Sequence, residues 1–253
     1  MYYLVKFFCL LMLTTVSVFA QTAPHVQPKK EAVWSYDNDY TGQEEWGLIT
    51  PAFAACGIGT EQSPVHIGRT EEIRADVPTF NYNSGEMRLQ NIGYTFEIQP
   101  ISELFYIEEG KTYLLKSIHF HTPSEHGVRG AFYPMEIQFN HESIEGKKLI
   151  IAVFTKIGAA QPELDIALSA VPEKYNVSNT IIFNPALLLP HSFAHYAYTG
   201  SITTPPCTEG VQWRIMKKHI TISKEQMFKV AKFTRRNARL AQPLYMRTVK
   251  EVN

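Results

Sequence analysis

Most of this chain repeats one pattern: short runs in which apolar and polar residues alternate, each closed by Gly, Pro, Asn or Ser. The clearest are MRLQNIGYTFEIQP (87–100), KTYLLKSIHFHT (111–122), MEIQFNHES (135–143), KKLIIAVFTKIG (147–158) and VQWRIMKKHITIS (211–223). A period of two sends successive side chains to opposite faces of a strand. Such runs, punctuated by turn residues, read as strands of one sheet. Gly110 and Gly146 fall where turns belong. Helical periodicity is weaker and confined to 162–171 (PELDIALSAV) and 223–235, where Ser223 and Gln226 have capping-box spacing. The expectation is one sheet-rich domain with a few surface helices.

The first twenty residues, MYYLVKFFCLLMLTTVSVFA, differ: one Lys, an apolar run, then small residues ending at Ala20. That is a secretory signal pattern, and its apolar run is shorter than the roughly 20 residues a spanning helix needs. The expected organisation is a signal peptide at 1–20, a polar lead-in at 21–32 and the domain at 33–250. No membrane anchor is expected after cleavage, and the compartment is periplasmic or secreted. Two cysteines remain, Cys56 and Cys207; an even count in an exported chain favours one disulfide over two free thiols. Lys plus Arg balances Asp plus Glu at 24 each, so no basic excess points to nucleic acid. Oligomeric state stays open, a homodimer being one option.

Within SIHFHTPSEH (117–126), His119 and His121 stand two apart. On a strand they share a face, roughly 7 Å apart, while Ile118 and Phe120 point into a core. Two imidazoles on one face look like two arms of a metal site, and two protein ligands rarely hold zinc. In the next run, Glu136, Gln138 and Asn140 share a face, so Gln138 can meet the imidazoles if the two strands are neighbours. His141 faces the other way.

The chain resembles the alpha-class carbonic anhydrases from about Trp34 to Arg247. The matching blocks are WSY at Trp34, WG at Trp46, CG at Cys56, QSP at Gln62, HFHTPSEH, PMEI, TGSITTPPCTEGV (199–211) and NARLAQPL (237–244). The HTPSEH form and the Cys56/Cys207 pair look like the bacterial exported branch. The resemblance implies a large twisted, mostly antiparallel sheet with peripheral helices. It also implies zinc at the bottom of a cleft, and carbon dioxide and bicarbonate as the small-molecule substrate pair. His119 and His121 match two of the family's three zinc ligands. Gln138 stands where the third histidine belongs. Its amide oxygen is neutral but a poorer donor than imidazole, so two outcomes stay open: a His-His-Gln zinc site or a vacant one.

Around these positions the resemblance assigns further roles. Glu136 would hold the third ligand, and the Asn237 backbone would orient His121. Ser117 stands in place of a supporting Gln. Thr203 and Glu125 match a hydroxyl–carboxylate pair that orients the metal's hydroxide. Thr204, Ile150, Ile202 and Trp213 match walls of the substrate pocket, and Tyr36 matches a tyrosine of the cleft. Asn140 stands where a Val lines that pocket. Tyr94 stands where a histidine shuttles protons; a phenol with a pKa of about 10 cannot do at neutral pH what an imidazole near about 6.5 can. Two functions follow: zinc-dependent reversible hydration of carbon dioxide with reduced activity, or a non-catalytic carbonic-anhydrase-related binding protein.

Overall fold

The computed structural model describes residues 33–253; the signal-peptide and lead-in expectations fall outside them. A 13-stranded sheet dominates. Its central strands, in spatial order, are Phe96–Pro100, Lys111–His121, Glu136–Ser143, Lys148–Ile157, Glu209–Met216 and His195–Ser201. Most neighbours are antiparallel. Lys148–Ile157 runs parallel to Glu209–Met216, and Val249–Val252 runs parallel to Thr70–Ile73, so the sheet is mixed where those strands meet. Val249–Val252 also pairs with His195–Ser201, carrying the sheet past residue 250.

The alternation read from the sequence becomes two layers. Phe96, Ile98, Ile118, Phe120, Ile137 and Phe139 are fully buried in one cluster. Phe96 stacks on Phe120 with ring centroids 4.3 Å apart. Each such side chain contributes about 1.5–3 kcal/mol by leaving water, so slipping a strand by one residue, which would exchange faces, is strongly disfavoured. On the opposite face a second cluster forms around Ile150, Ala152, Tyr198, Trp213 and Ile215. Gly146 turns between two of these strands with a φ of 77°, a left-handed conformation that glycine adopts without steric penalty.

The two longer helices fall where the periodicity placed them, at Pro162–Ala170 and Lys224–Thr234; the four-residue helices Trp46–Ile49 and Ala55–Ile58 carry no such signal. The second of the longer pair carries the full capping box: Ser223 accepts from the Gln226 N–H while the Gln226 side chain accepts from the Ser223 N–H. Cys56 and Cys207 form a disulfide, S–S 2.06 Å, joining positions 151 residues apart. It ties the segment before the sheet to the loop that follows Thr203 and Thr204.

Candidate active site

The register of three strands builds the site. His119 lies opposite Gln138 and His121 opposite Glu136 across an antiparallel pair. On the other side Ile98 pairs with Ile118, which sets Glu97 across from His119. The pleat therefore turns His119, His121, Gln138 and Glu97 away from the Phe96–Phe120 core. His119, His121 and Gln138 line a cleft of about 240 Å³, whose walls include Ser117, Asn140, Ile150, Ile202, Thr203 and Thr204. That is smaller than the roughly 300–1,000 Å³ of drug-sized sites, a match for a ligand of a few atoms.

His121 is the best-prepared donor. Its Nδ1 lies 2.9 Å from the Asn237 carbonyl oxygen, which can only accept, so Nδ1 carries the proton. In the neutral ring Nε2 is then a bare lone pair. It is buried and has no partner among the described residues. An unpaired buried polar atom costs free energy unless something completes it.

Gln138 is held by its amide nitrogen. Nε2 donates to Glu125 Oε2 at 2.7 Å and to Glu136 Oε1 at 2.9 Å. Both N–H donors are thus used, and the carbonyl oxygen is left without a partner among the described residues. Glu136 is itself fixed by the His126 ring and the backbone N–H groups of Glu125 and His126. Burial alone would raise the Glu136 carboxyl; the His126 charge and hydrogen bonds outweigh it and hold the group below the usual carboxylate range.

His119 is engaged elsewhere. Its Nε2 lies 2.6 Å from Glu97 Oε2 and 3.2 Å from Ser117 Oγ. Burial would raise the Glu97 carboxyl, but the hydrogen bond and charge of His119 prevail and lower it. Glu97 was not singled out in the sequence. Its alternation with Phe96 and Ile98 marks it as facing away from the core, but only the strand order reveals that it faces His119.

Two other positions differ from the sequence expectation, the Thr203–Glu125 pair and Trp213, while Asn140 falls where it was expected. Among the described residues no hydrogen bond joins Thr203 to Glu125. The Glu125 carboxylate is taken by the Gln138 amide and by the Arg239 backbone N–H at 2.9 Å, because an amide NH2 brings a donor that an imidazole at position 138 would not. Trp213 backs the pocket wall rather than lining it: it is fully buried beside Ile150, its indole N–H donated to the Ser201 carbonyl. Asn140 lies in the cleft wall and gives its NH2 to Ser117 Oγ at 3.3 Å.

Tyr94 and Tyr36 belong to an aromatic group with Trp34 and Trp46. Burial and the nearby Glu97 and Glu125 charges push the Tyr94 phenol well above its ordinary pKa. The Tyr36 hydroxyl is buried, unpaired among the described residues and likewise raised. Neither phenol titrates near neutrality.

No three His, Cys, Asp or Glu side chains among the described residues converge on one point. A metal ion held here therefore needs the Gln138 carboxamide. Two groups there have no hydrogen-bond partner among the described residues, His121 Nε2 and the Gln138 oxygen. His119 Nε2 is held by Glu97 instead.

A large mixed sheet thus carries a histidine pair and a carboxylate-braced glutamine in a small cleft. The model of the eukaryotic-type carbonic anhydrase family matches residues 41–253. A carbonic anhydrase from Neisseria gonorrhoeae is 34% identical over 226 residues, covering 86% of this chain and 87% of that protein. The alpha-carbonic anhydrase of Thermovibrio ammonificans, solved with the inhibitor sulfanilamide, superposes with a TM-score of 0.84 at 34% identity, covering 88% of this chain and 99% of that one. Dioscorin complexed with ascorbate superposes at 0.81 with 31% identity, over 87% and 97% of the two chains. The chain belongs to the alpha-type carbonic anhydrase family and has the fold of that enzyme.

Proposed function

We propose that this protein reversibly hydrates carbon dioxide to bicarbonate at a zinc ion held by His119, His121 and Gln138, more slowly than a site with three imidazoles. The family is zinc-dependent in general. The observation that carries the reading is the buried, unpartnered Nε2 of His121, with its tautomer set by the Asn237 carbonyl. When bound, zinc lowers the pKa of its water to about 7 and so makes a nucleophile available at neutral pH.

The protein's own groups do the rest. Asn237 keeps the His121 lone pair turned inward. Glu125 and Glu136 hold the Gln138 amide by its nitrogen, which aims the neutral oxygen at the cleft. Ile150 and Ile202 give carbon dioxide an apolar wall, and Asn140 makes that wall more polar. Thr203 and Thr204 line the same cleft as hydroxyl partners for bicarbonate. With Tyr94 unable to carry protons at neutral pH, buffer must remove the proton that each turnover releases.

The leader pattern of residues 1–20 and the Cys56–Cys207 disulfide support an exported protein. The test of the reading is zinc content of the purified protein by mass spectrometry, paired with hydration rates in increasing imidazole buffer. Retained zinc with a buffer-dependent rate supports it. A folded protein that takes up no zinc from excess sinks it.

One observation favours a second reading, a non-catalytic binding protein: the Gln138 amide occupies the Glu125 oxygen that Thr203 needs. A relative solved with ascorbate shows that this fold also holds a small polar ligand. Saturable ascorbate binding to metal-free protein by calorimetry, with no hydration above buffer, would support that role.

A further inference from the structure

We propose that Glu97 is a latch on the metal site: it holds His119 at Nε2 and withholds that nitrogen from a metal, and so sets how tightly this protein takes up zinc. The inference rests on reading the cleft as a metal site and goes beyond it by assigning a competitor built into the chain.

The geometry separates a latch from a ligand. Two donors on one tetrahedral zinc at about 2.0–2.2 Å lie roughly 3.4 Å apart. Glu97 Oε2 and His119 Nε2 lie 2.6 Å apart, the spacing of a shared proton. No metal fits between them unless they part. Ser117 Oγ lies 3.2 Å from the same nitrogen, and Asn140 in turn donates to that Oγ. The contrast with His121 is internal to the site: there Nδ1 is the bonded atom and Nε2 is left bare. One imidazole of the pair is presented to the cleft, and the other is withheld by an anion from the neighbouring strand.

Zinc binding through His119 Nε2 must therefore break a charge-assisted hydrogen bond first, and zinc found on Nδ1 with the Glu97 contact intact would overturn the latch. Removing the carboxylate removes that cost. It also removes an attraction for a dication, which solvent reaching the partly exposed carboxylate only weakens. The hydrogen bond is the larger effect because it holds the ligating atom itself.

The experiment measures zinc affinity by competition with a chromophoric chelator for the wild type, Glu97→Ala and Glu97→Gln, with circular dichroism as the check on folding. Glu97→Ala should bind zinc tighter by about tenfold to a hundredfold, the worth of one charge-assisted hydrogen bond, and Glu97→Gln should bind tighter by less, because its amide oxygen can still accept from Nε2. A crystal of Glu97→Ala soaked in zinc should show the His119 ring turned onto the metal. Unchanged affinity would mean that Glu97 restrains nothing, and weaker affinity would mean that it is a ligand; either overturns the latch. If the alanine variant does not fold, the glutamine variant, of the same size, decides. If the wild type binds no zinc and a variant does, the latch stands and the native zinc enzyme falls. If none binds zinc, both fall.

Discussion

Replacing Gln138 by histidine tests the centre of the functional reading. The side chain is 2% exposed and its amide nitrogen donates to Glu136 at 2.9 Å and Glu125 at 2.7 Å. An imidazole can keep the first bond through one N–H and turn its other nitrogen to the cleft. It cannot also keep the second. Two gains follow from one substitution. A stronger donor replaces an amide oxygen; losing a mere supporting contact at a zinc site costs about 10–100-fold in affinity, and a change of ligand is worth at least that much, about 1.4–2.8 kcal/mol. The freed Glu125 oxygen can then accept from Thr203, restoring the orienting pair. Zinc affinity should rise at least about tenfold by chelator competition, and kcat/KM for hydration by stopped flow should rise with it. A folded Gln138→His protein with neither increase would refute the argument that this position limits the site.

Other outcomes follow from single contacts. Removing the disulfide with Cys56→Ser and Cys207→Ser opens a loop of 151 residues and should cost about 5 kcal/mol in urea unfolding on the chain-entropy model; a loss under about 1 kcal/mol would argue that the loop stays ordered without it. His141 is buried, gives its Nδ1 proton to the Leu149 carbonyl and meets the Tyr82 hydroxyl with Nε2, and burial lowers its pKa to about 3. The unfolded chain then binds a proton below about pH 6.5 that the folded one refuses, so stability falls as pH drops from there towards 3; wild type should lose about 3 kcal/mol more than His141→Gln between pH 6.5 and 4, and parallel curves would count against it. Tyr94→His should raise the hydration rate in weak buffer and leave it nearly unchanged in concentrated imidazole; an equal rise in both would show that proton removal is not the deficit.

The strands and both long helices were legible because each is fixed by periodicity within a few residues: Ile118 and Phe120 against His119 and His121, or Ser223 with Gln226. The facing of Gln138 and His119 was legible only on condition that their strands are neighbours, and the register supplies that condition. Glu97 was not legible, since its partner lies 22 residues away and no local pattern says which strand flanks the histidines. The missing Thr203–Glu125 bond was hidden for another reason. Family roles are inherited position by position, whereas hydrogen bonds are shared out among all donors present. One amide at 138 adds an N–H, that N–H takes an oxygen of Glu125, and a threonine that still lines the cleft loses its acceptor. On the far side of His119, a carboxylate at 97 does the equivalent to an imidazole. The two contacts thus act in the same direction, each tying up a group that the proposed metal site would use, and by different hydrogen bonds. If they are independent, the gains from Gln138→His and Glu97→Ala in zinc affinity should multiply in the double variant; a double variant no tighter than either single one would mean that both act through the same position of the His119 ring.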